Sequence, residues 1–477
     1  MIAGNDGFEI RKLTTHSDAA AVARVGSLAY TLYNNYSDAN LPRMVKKTVG
    51  RLTEPGKELF GIFHTDPTEF DHDLLNPVSV ELNPGKPATV ITPTPGLLAH
   101  WMHRDMQVNL FGKVREYGGL AFVAVDMKYK KRGFAKILVT RFLEDCFKKG
   151  QALAALHPFR PDFYMNMGFG LSSPYYDYNI SPASLPKDFV VFGGGKGKSQ
   201  PTFTALKTLK PVHIEEMEEC QNRFSQKKHG MVYRDAVGIN EMAFFDQGVT
   251  RALGFRDASN TLRGYILFKF ETTTAGGLIN DLHLVELVYE TKEAFFAFVK
   301  FLREQDDQIR YIKLTTQEPD LFRLLTDPRS GSAAGEQCGI SGSGRESAKQ
   351  SVSMMYRVVN TELLFSKFFA DRNFNGVDGL KLWIKVEDSF TPELNPPVLL
   401  QFRNGHAGVL RVGGDHSSEA DASLYIGIAE FSSLVVGAVS LKVLEAYGKA
   451  QVEPEEKLSV VSKLFISEDL PMNAVFF

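Results

Sequence analysis

Cysteine is scarce. The 477 residues hold three, Cys146, Cys220 and Cys338, far apart and never in a C-x-x-C pair. That spacing supports neither a zinc site nor a disulfide framework, and a reduced, cytoplasmic setting fits it best. An excess of charge is missing too, since 54 Lys and Arg against 56 Asp and Glu leave a formal net charge of −2. A general nucleic-acid binder carries a basic face and a high pI, so no nucleic-acid partner is expected and only local basic patches need a reading. Long apolar runs are absent as well. The opening MIAGNDGFEIRKL has no apolar core of signal-peptide length, and the most apolar late stretch, SSLVVGAVSLKVL at 432–444, is too short to span a bilayer and carries Lys442. The expectation is no export and no membrane partner. Histidines are scattered. His100 and His103 lie close together, but no third ligand follows at metal spacing, so both are expected as polar loop residues and no metal is inferred.

What is present is an ordinary globular composition, 44% hydrophobic and 23% charged. At roughly 150 residues per domain the length suggests about three domains. The first segment opens with the alternating FEIRKL as a strand, then Thr15-x-x-Asp18 as a capping box and AAAVARVGSLAYTLY as a helix. From about 60 to 112 the pattern is broken by a stretch rich in Pro, Asp and Asn, which reads as a long loop or insertion. YGGLAFVAVDM (117–127) then reads as a strand, FAKILVTRFLEDCFKKG as a helix ended by Lys148, Lys149 and Gly150, and ALAALH as another strand. A second segment repeats the order, with RGYILFKFE and LINDLHLVELVYE as strands, KEAFFAFVKFLREQ as a helix and RYIKLTT as a strand. Residues 327–350, almost all Gly, Ser, Ala and polar, are expected to form a mobile loop. The last segment has four alternating strands followed by helices, an α+β layout. The resulting segments are 1–183 and 184–352, both α/β, and 353–477.

The stretch VDMKYKKRGFAKILV (125–139) crowds Lys130, Lys131 and Arg132 at the start of a helix, where the dipole repels positive charge. Phe134, Ile137, Leu138, Phe142 and Cys146 put an apolar stripe on that helix, which fixes its entrance against the sheet. Unpaired N–H groups of the first turn, the positive dipole end and the three cations together suit a polyanion such as a pyrophosphate. Gly133 and Ala135 are small where a phosphate would approach the backbone. A second glycine-rich stretch, DFVVFGGGKGKSQPTF (188–203), imitates a P-loop but fails in register. Phe192 stands where the motif needs a Gly, and Pro201 with an alternating pattern follows where it needs a helix.

Further along, DFYMNMGFG (162–170) sets Tyr164 before Gly168 and Phe169 in a Y-x-x-x-G-F pattern. The pairing of VAV…KKRGFA with FYMNMGFG resembles the GCN5-related N-acetyltransferases (GNAT), whose phosphate loop R/Q-x-x-G-x-G/A binds acetyl-CoA. Lys130-x-x-Gly133-x-Ala135 fits with Lys in the first place, a departure from the pattern. The chain is closer still to the enhanced intracellular survival (Eis) family, through LFGKVREYGGLAFVAVDMKYKKRG (110–133), HPFRPDFYMNMGFG (157–170), the GYILFKF and ELVYET pieces and the tail PMNAVFF. The resemblance covers nearly the whole chain. It implies two GNAT-like domains, each a mixed central sheet flanked by helices, a sterol-carrier-like C-terminal domain and a homohexamer.

The resemblance also implies roles. Lys130, Lys131, Arg132, Gly133 and Ala135 would hold the coenzyme's pyrophosphate, and the main chain of Val123 and Val125 would run along its pantetheine arm. The Val123 amide would lie near the thioester oxygen. Tyr164, with an ordinary pKa of about 10, suits the acid that protonates the departing thiolate. The C-terminal carboxylate of Phe477 would orient and accept charge from the amine. Phe122 would line the acceptor pocket. His157, just before Pro158, is expected as a structural histidine, and Phe295, Phe296 and Phe298 as helix core. In the second segment VYETKEAFFAFV puts Glu293 and Phe295 where the cations and glycine would fall, so no coenzyme is expected there. The leading expectation is an acetyl-CoA-dependent N-acetyltransferase acting on primary amines, either aminoglycoside-like or lysine side chains. The alternative is a non-catalytic lipid-binding protein with a vestigial transferase domain.

Overall fold

The computed structural model describes residues 7–30, 40–66, 75–189, 206–244, 249–273, 279–331 and 344–473. The first region begins with β1 (Phe8–Lys12), α1 (His16–Ala29), α2 (Leu41–Thr53) and β2 (Lys57–His64). The small hairpin β3 (Val78–Val80) and β4 (Thr89–Ile91) follows, then the long strands β5 (Leu97–Leu110) and β6 (Lys113–Val125). Helix α3 (Phe134–Lys148), β7 (Leu153–Leu156), α4 (Pro161–Met165) and β8 (Gly170–Leu171) complete it.

The second region comprises β9 (Tyr175–Ile180), β10 (Leu206–Thr208), α5 (Ile214–Ser225), α6 (Ala236–Phe244), β11 (Arg251–Arg256) and β12 (Leu262–Thr272). It continues with β13 (Asn280–Tyr289), α7 (Lys292–Arg303), β14 (Ile309–Thr316) and β15 (Lys349–Ser351). The last region runs through β16 (Met355–Val358), α8 (Thr361–Leu363), β17 (Lys381–Glu387), β18 (Val398–Arg403), β19 (His406–Val412) and β20 (Ala422–Gly427). It ends with α9 (Ile428–Val435), α10 (Leu441–Ala446), β21 (Ala450–Glu453) and α11 (Leu458–Leu464).

Three main sheets result, ordered β1-β2-β5-β6-β7-β16-β8, β10-β11-β12-β13-β14-β9-β15 and β19-β18-β17-β20-β21. Two strands cross the segment limits read from sequence. β9 precedes residue 184 yet pairs with β14, and β16 follows residue 353 yet pairs with β7 and β8 of the first sheet. Pairing between strands distant in sequence leaves no local trace, so neither exchange could be read from composition.

The stretch from 60 to 112 is not one long loop. β2 runs to His64, and β5 is a 14-residue strand whose residues Leu97–His103 are all buried. A strand covered on both faces loses the alternation that marks strands from sequence. Within 327–350, residues 332–343 lie outside the described residues, and Lys349–Ser351 pair with Tyr175–Asp177 as β15. Most of 188–203, including the P-loop imitation, also lies outside them. Among the described residues no helix is long and apolar enough to cross a membrane.

The capping box at α1 forms. The Thr15 hydroxyl accepts from the Asp18 N–H at 3.1 Å, and the Asp18 carboxylate accepts from the Thr15 N–H at 3.1 Å. Burial alone would raise the Asp18 carboxyl's pKa, but Arg11, the Thr14 and Thr15 amides and the Thr94 hydroxyl outweigh it and hold it well below the usual carboxylate range.

The tip of the β5–β6 hairpin joins all three regions. Its Asn109 and Gln107 exchange main-chain bonds with Gly230, Met231 and Tyr233, while Met106, Val108 and Leu110 enter the core of the last region. At the junction the His229 imidazole accepts from the Phe111 N–H at 3.1 Å and donates to the Val436 carbonyl at 2.9 Å. Burial pushes this imidazole down to about 4.

Candidate functional site

Helix α3 buries Leu138, Val139, Phe142, Leu143 and Cys146 against Trp101, Leu120 and Leu156 of the sheet, so its start is held in place. Ahead of it, a single turn at Met127–Tyr129 leads into Lys131 at φ 64° and Gly133 at φ 89°. Two left-handed residues so close together turn successive main-chain N–H groups toward one side, an arrangement that receives anions. Gly133 is the N-cap residue and offers no side-chain cap, and no acid stands in the first turn. A Cβ placed on Gly133 would meet nothing within 4 Å. Glycine is therefore required there by its φ, and the space above it is open. Lys130, Lys131 and Arg132 are exposed and form no ion pair among the described residues; the Arg132 guanidinium lies 5.2 Å from the Tyr129 ring centroid. Open space, unpaired cations and uncapped amides fit a pyrophosphate, so the residues present suit the coenzyme that the motif implies.

Beside the helix start the sheet opens. The parallel pairing of β6 with β7 covers only Gly118↔Ala154 and Gly119↔Ala155, after which β7 turns to β16. Among the described residues the main chain from Leu120 to Val125 thus has no strand partner on that side, a slot into which an extended ligand can lay its own amides. On the other side the ladder with β5 skips from Ala124 to Ala121, leaving Phe122 and Val123 as a bulge with Phe122 at φ 53°. A phenylalanine held in the left-handed region stores strain of about 1–3 kcal/mol, and strain of this kind gathers where a backbone group is being aimed. The Val123 carbonyl is already taken, at 2.6 Å, by the Tyr30 hydroxyl.

Tyr164 belongs to the cluster under α3, together with Met167, Phe169 and Met355, and Val123, Val125 and Phe134 pack against the same cluster. The Phe159, Phe163 and Phe169 rings surround it at 5.8, 5.1 and 5.9 Å. Its hydroxyl has no hydrogen-bond partner among the described residues, and burial pushes its pKa well up. The phenol therefore stays protonated at neutral pH and is a proton donor in waiting.

The turn that carries Tyr164 closes at Gly168 (φ 80°), which rests on Arg357 of β16. A Cβ there would lie 2.8 Å from the guanidinium carbon. Arg357 is fully buried and pairs with Asp388 at 2.6 Å, and Asp388 in turn accepts from the Phe390 and Thr391 amides at 3.0 and 3.1 Å. The last region thus supports the Tyr164 turn from below, a support no sequence motif announced.

Phe122 turns to the opposite face, among residues packed under α1, where Tyr30 and His100 meet its ring. His100 and His103 are not loop residues. Both are fully buried on β5, because strand pairing encloses them, and His103 bonds Gln151 at 3.0 Å. Phe477 lies outside the described residues, which end at Asn473. That residue's N–H donates to the Gln317 side chain and its amide reaches the Met354 sulfur at 3.4 Å. Among the described residues no group of three or more His, Cys, Asp or Glu could hold a metal ion.

The corresponding helix of the second region differs. Thr291 caps α7 by accepting from the Ala294 N–H at 3.2 Å, Glu293 stands in its first turn, and Phe296 stacks on Phe189 at 3.8 Å while Phe295 meets Tyr289 at 4.7 Å.

Comparison with known proteins adds a family context. Residues 84–172 match an acetyltransferase (GNAT) domain, residues 230–358 a second acetyltransferase (GNAT) domain, and residues 365–473 a sterol carrier protein domain. N-acetyltransferase Eis of Mycobacterium bovis and of Mycobacterium tuberculosis is 25% identical over 246 residues, 50% of this chain. The match spans 58% of those relatives' length. Among solved structures, a conserved protein from Enterococcus faecalis described as a probable N-acyltransferase superposes with a TM-score of 0.72 at 18% identity, covering 98% of this chain and 99% of that one. A GCN5-related N-acetyltransferase from Anabaena variabilis gives 0.70 at 16% identity, covering 98% and 100%. These likenesses show a shared fold across the whole chain.

Proposed function

Since the chain belongs to the GCN5-related N-acetyltransferase superfamily, in the Eis-type arrangement of two GNAT domains and a sterol carrier domain, we propose that it transfers the acetyl group of acetyl-CoA to a primary amine. One observation carries the reading. The uncapped start of α3, with three unpaired cations, stands beside the open edge of β6 and shares an apolar cluster with an unbonded, protonated Tyr164. Acetyl-CoA, when bound, supplies a thioester whose carbonyl an amine can attack.

The roles of the chain's own residues follow from their chemistry. The Lys131–Gly133 main chain, with Lys130, Lys131, Arg132 and Ala135, holds the pyrophosphate. The open edges of Val123 and Val125 orient the pantetheine arm, and the Val123 amide faces the carbonyl oxygen as it gains charge. Tyr164 gives its proton to the departing thiolate. The proton lost by the amine is assigned to the carboxylate of Phe477, a role supported by the seating of Asn473 beside Met354, next to the cluster that holds Tyr164. The acceptor is a primary amine of a small, multiply aminated molecule or of a lysine side chain. The reading extends to a cytoplasmic homohexamer built of domains 1–183, 184–352 and 353–477, with coenzyme in the first alone.

The test is turnover of acetyl-CoA, followed by release of free thiol, against a panel of primary amines. The wild type releases thiol with at least one amine, and Tyr164→Phe lowers kcat roughly a hundredfold or more while coenzyme affinity is retained. Deleting Phe477 gives the same split between turnover and binding. Release of no thiol with any amine contradicts the proposal.

A further inference from the structure

The far side of the β6 bulge carries a charge that nothing among the described residues answers. The guanidinium of Arg51, in the last turn of α2, lies 4.6 Å from the centroid of the Phe122 ring. It is half-buried, and among the described residues it forms no ion pair and no hydrogen bond. Its nearest acid in sequence, Glu54, is committed to Lys57. The other groups around the ring bring no negative charge. Tyr30 stacks on it at 5.9 Å and gives its hydroxyl to Val123, and His100, tilted against it at 4.9 Å, is buried and neutral. Further along the same face stands Arg104, whose proton affinity is lowered first by burial and then by Arg51, against the opposing pull of Asp235 and Glu54.

An arginine has five N–H donors in a planar fork that matches a carboxylate in two parallel bonds. Fixed on an aromatic face and partly out of water, such a fork attracts an anion more strongly than a solvated lysine does, and repels a second cation equally. The stacking on Phe122 also spares the entropy of ordering the side chain when a ligand arrives.

We propose that Arg51 is the anchor for an anionic group on the acceptor, so that the amine this chain acetylates also bears a carboxylate, as a diamino acid does. This rests on the reading of Phe122 as the acceptor-side wall of the transferase site. The step itself is unchanged. The amine nitrogen forms the bond to the acetyl carbon, the carbon–sulfur bond breaks, the thiolate takes a proton from Tyr164, and the amine's proton leaves to the carboxylate base. Arg51 touches the acceptor at the end away from that bond and sets which amine is presented.

The experiment measures kcat/KM for pairs of amines that differ by one carboxylate, lysine against cadaverine and ornithine against putrescine, with the full-length chain. The wild type prefers the carboxylated member of a pair by at least about tenfold, chiefly through KM. Arg51→Ala brings the ratio close to one, Arg51→Glu reverses it, and Arg51→Lys recovers part of it, while all three keep the wild-type dissociation constant for coenzyme A. A wild type that prefers the diamines, or a preference that survives Arg51→Ala, overturns the inference and leaves the transferase reading standing. Thiol release with none of the four amines but with others of the panel likewise overturns the inference alone, and release with no amine at all overturns both.

Discussion

Helices α3 and α7 occupy matching places, each crossing between two parallel strands, β6 and β7 in one case and β13 and β14 in the other. Their entrances are chemical opposites. At α3 the first-turn amides face open space, ringed by Lys130, Lys131 and Arg132, with a glycine as N-cap residue. At α7 a threonine hydroxyl has already taken an amide, Glu293 stands against the dipole in the first turn, and bulky rings follow at once, Phe295 against Tyr289 and Phe296 stacked on Phe189. Glu290, just before, is drawn into ion pairs with Arg223 at 2.8 Å and Arg263 at 3.4 Å. The second entrance has been finished from within the protein, and the first has been left for a ligand to finish. A helix start that lacks its own cap is costly unless something else supplies the acceptor, and the cations at α3 add repulsion that only an anion relieves.

Charge reversal is the strongest way to break the contrast. Replacing Lys130, Lys131 and Arg132 together by Glu is expected to weaken coenzyme A binding by about a hundredfold or more at low salt and to flatten its salt dependence, as read by titration at several ionic strengths. Neutralising Glu293 at the other entrance has no effect on binding.

Acid acts on the two regions through buried imidazoles, His100 under the first site and His229 at the junction. Their folded pKa values, about 3 and about 4, lie below the unfolded value of 6.5, so the unfolded chain takes up protons that the folded chain refuses. Stability therefore rises with pH between the folded values and 6.5 and is lost as pH falls through that window. Lowering pH from 7 to 5 costs about 2 kcal/mol for each imidazole, measurable by urea denaturation at the two pH values. His229→Gln is expected to remove its share of the difference, leaving those of His100 and of His283, whose imidazole is also pushed down by burial.

Gly168→Ala tests the support that only the first site has. Its Cβ meets Arg357 in a left-handed backbone, a cost of about 1–3 kcal/mol, and the shifted Tyr164 turn lowers kcat by about tenfold with coenzyme affinity unchanged. Steady-state kinetics alongside a melting curve separates the two effects. Smallest of all, Thr291→Ala removes the cap of α7 and costs about 1 kcal/mol, seen as a lower melting temperature with turnover unaltered.

Much of the first site was legible because its signals are local. The stripe through Leu138, Phe142 and Cys146 fixes α3, and the cations before Gly133 stand out against a dipole of the same sign. The unsuitability of the α7 entrance for a polyanion was equally plain from Glu293 and Phe295, whereas the Thr291 cap went unread. What escaped was nonlocal. Strand β5 hides its period because both faces are buried, and with it went the placement of His100 and His103. The insertion of β16 into the first sheet, and the Arg357–Asp388 pair beneath Tyr164, depend on residues far apart in the chain. Arg51 could not have been singled out from sequence at all, since what distinguishes it is the lack of a partner among the described residues.

Calorimetric titration of coenzyme A into the full-length chain addresses the contrast most directly. One equivalent per chain is predicted, lost in a Gly133→Asp variant, whose aspartate would meet both a strained φ and the pyrophosphate, and kept when Thr291 and Glu293 are both replaced by alanine. Two equivalents per chain, or a single one that survives Gly133→Asp and disappears with the α7 variant, would contradict the account.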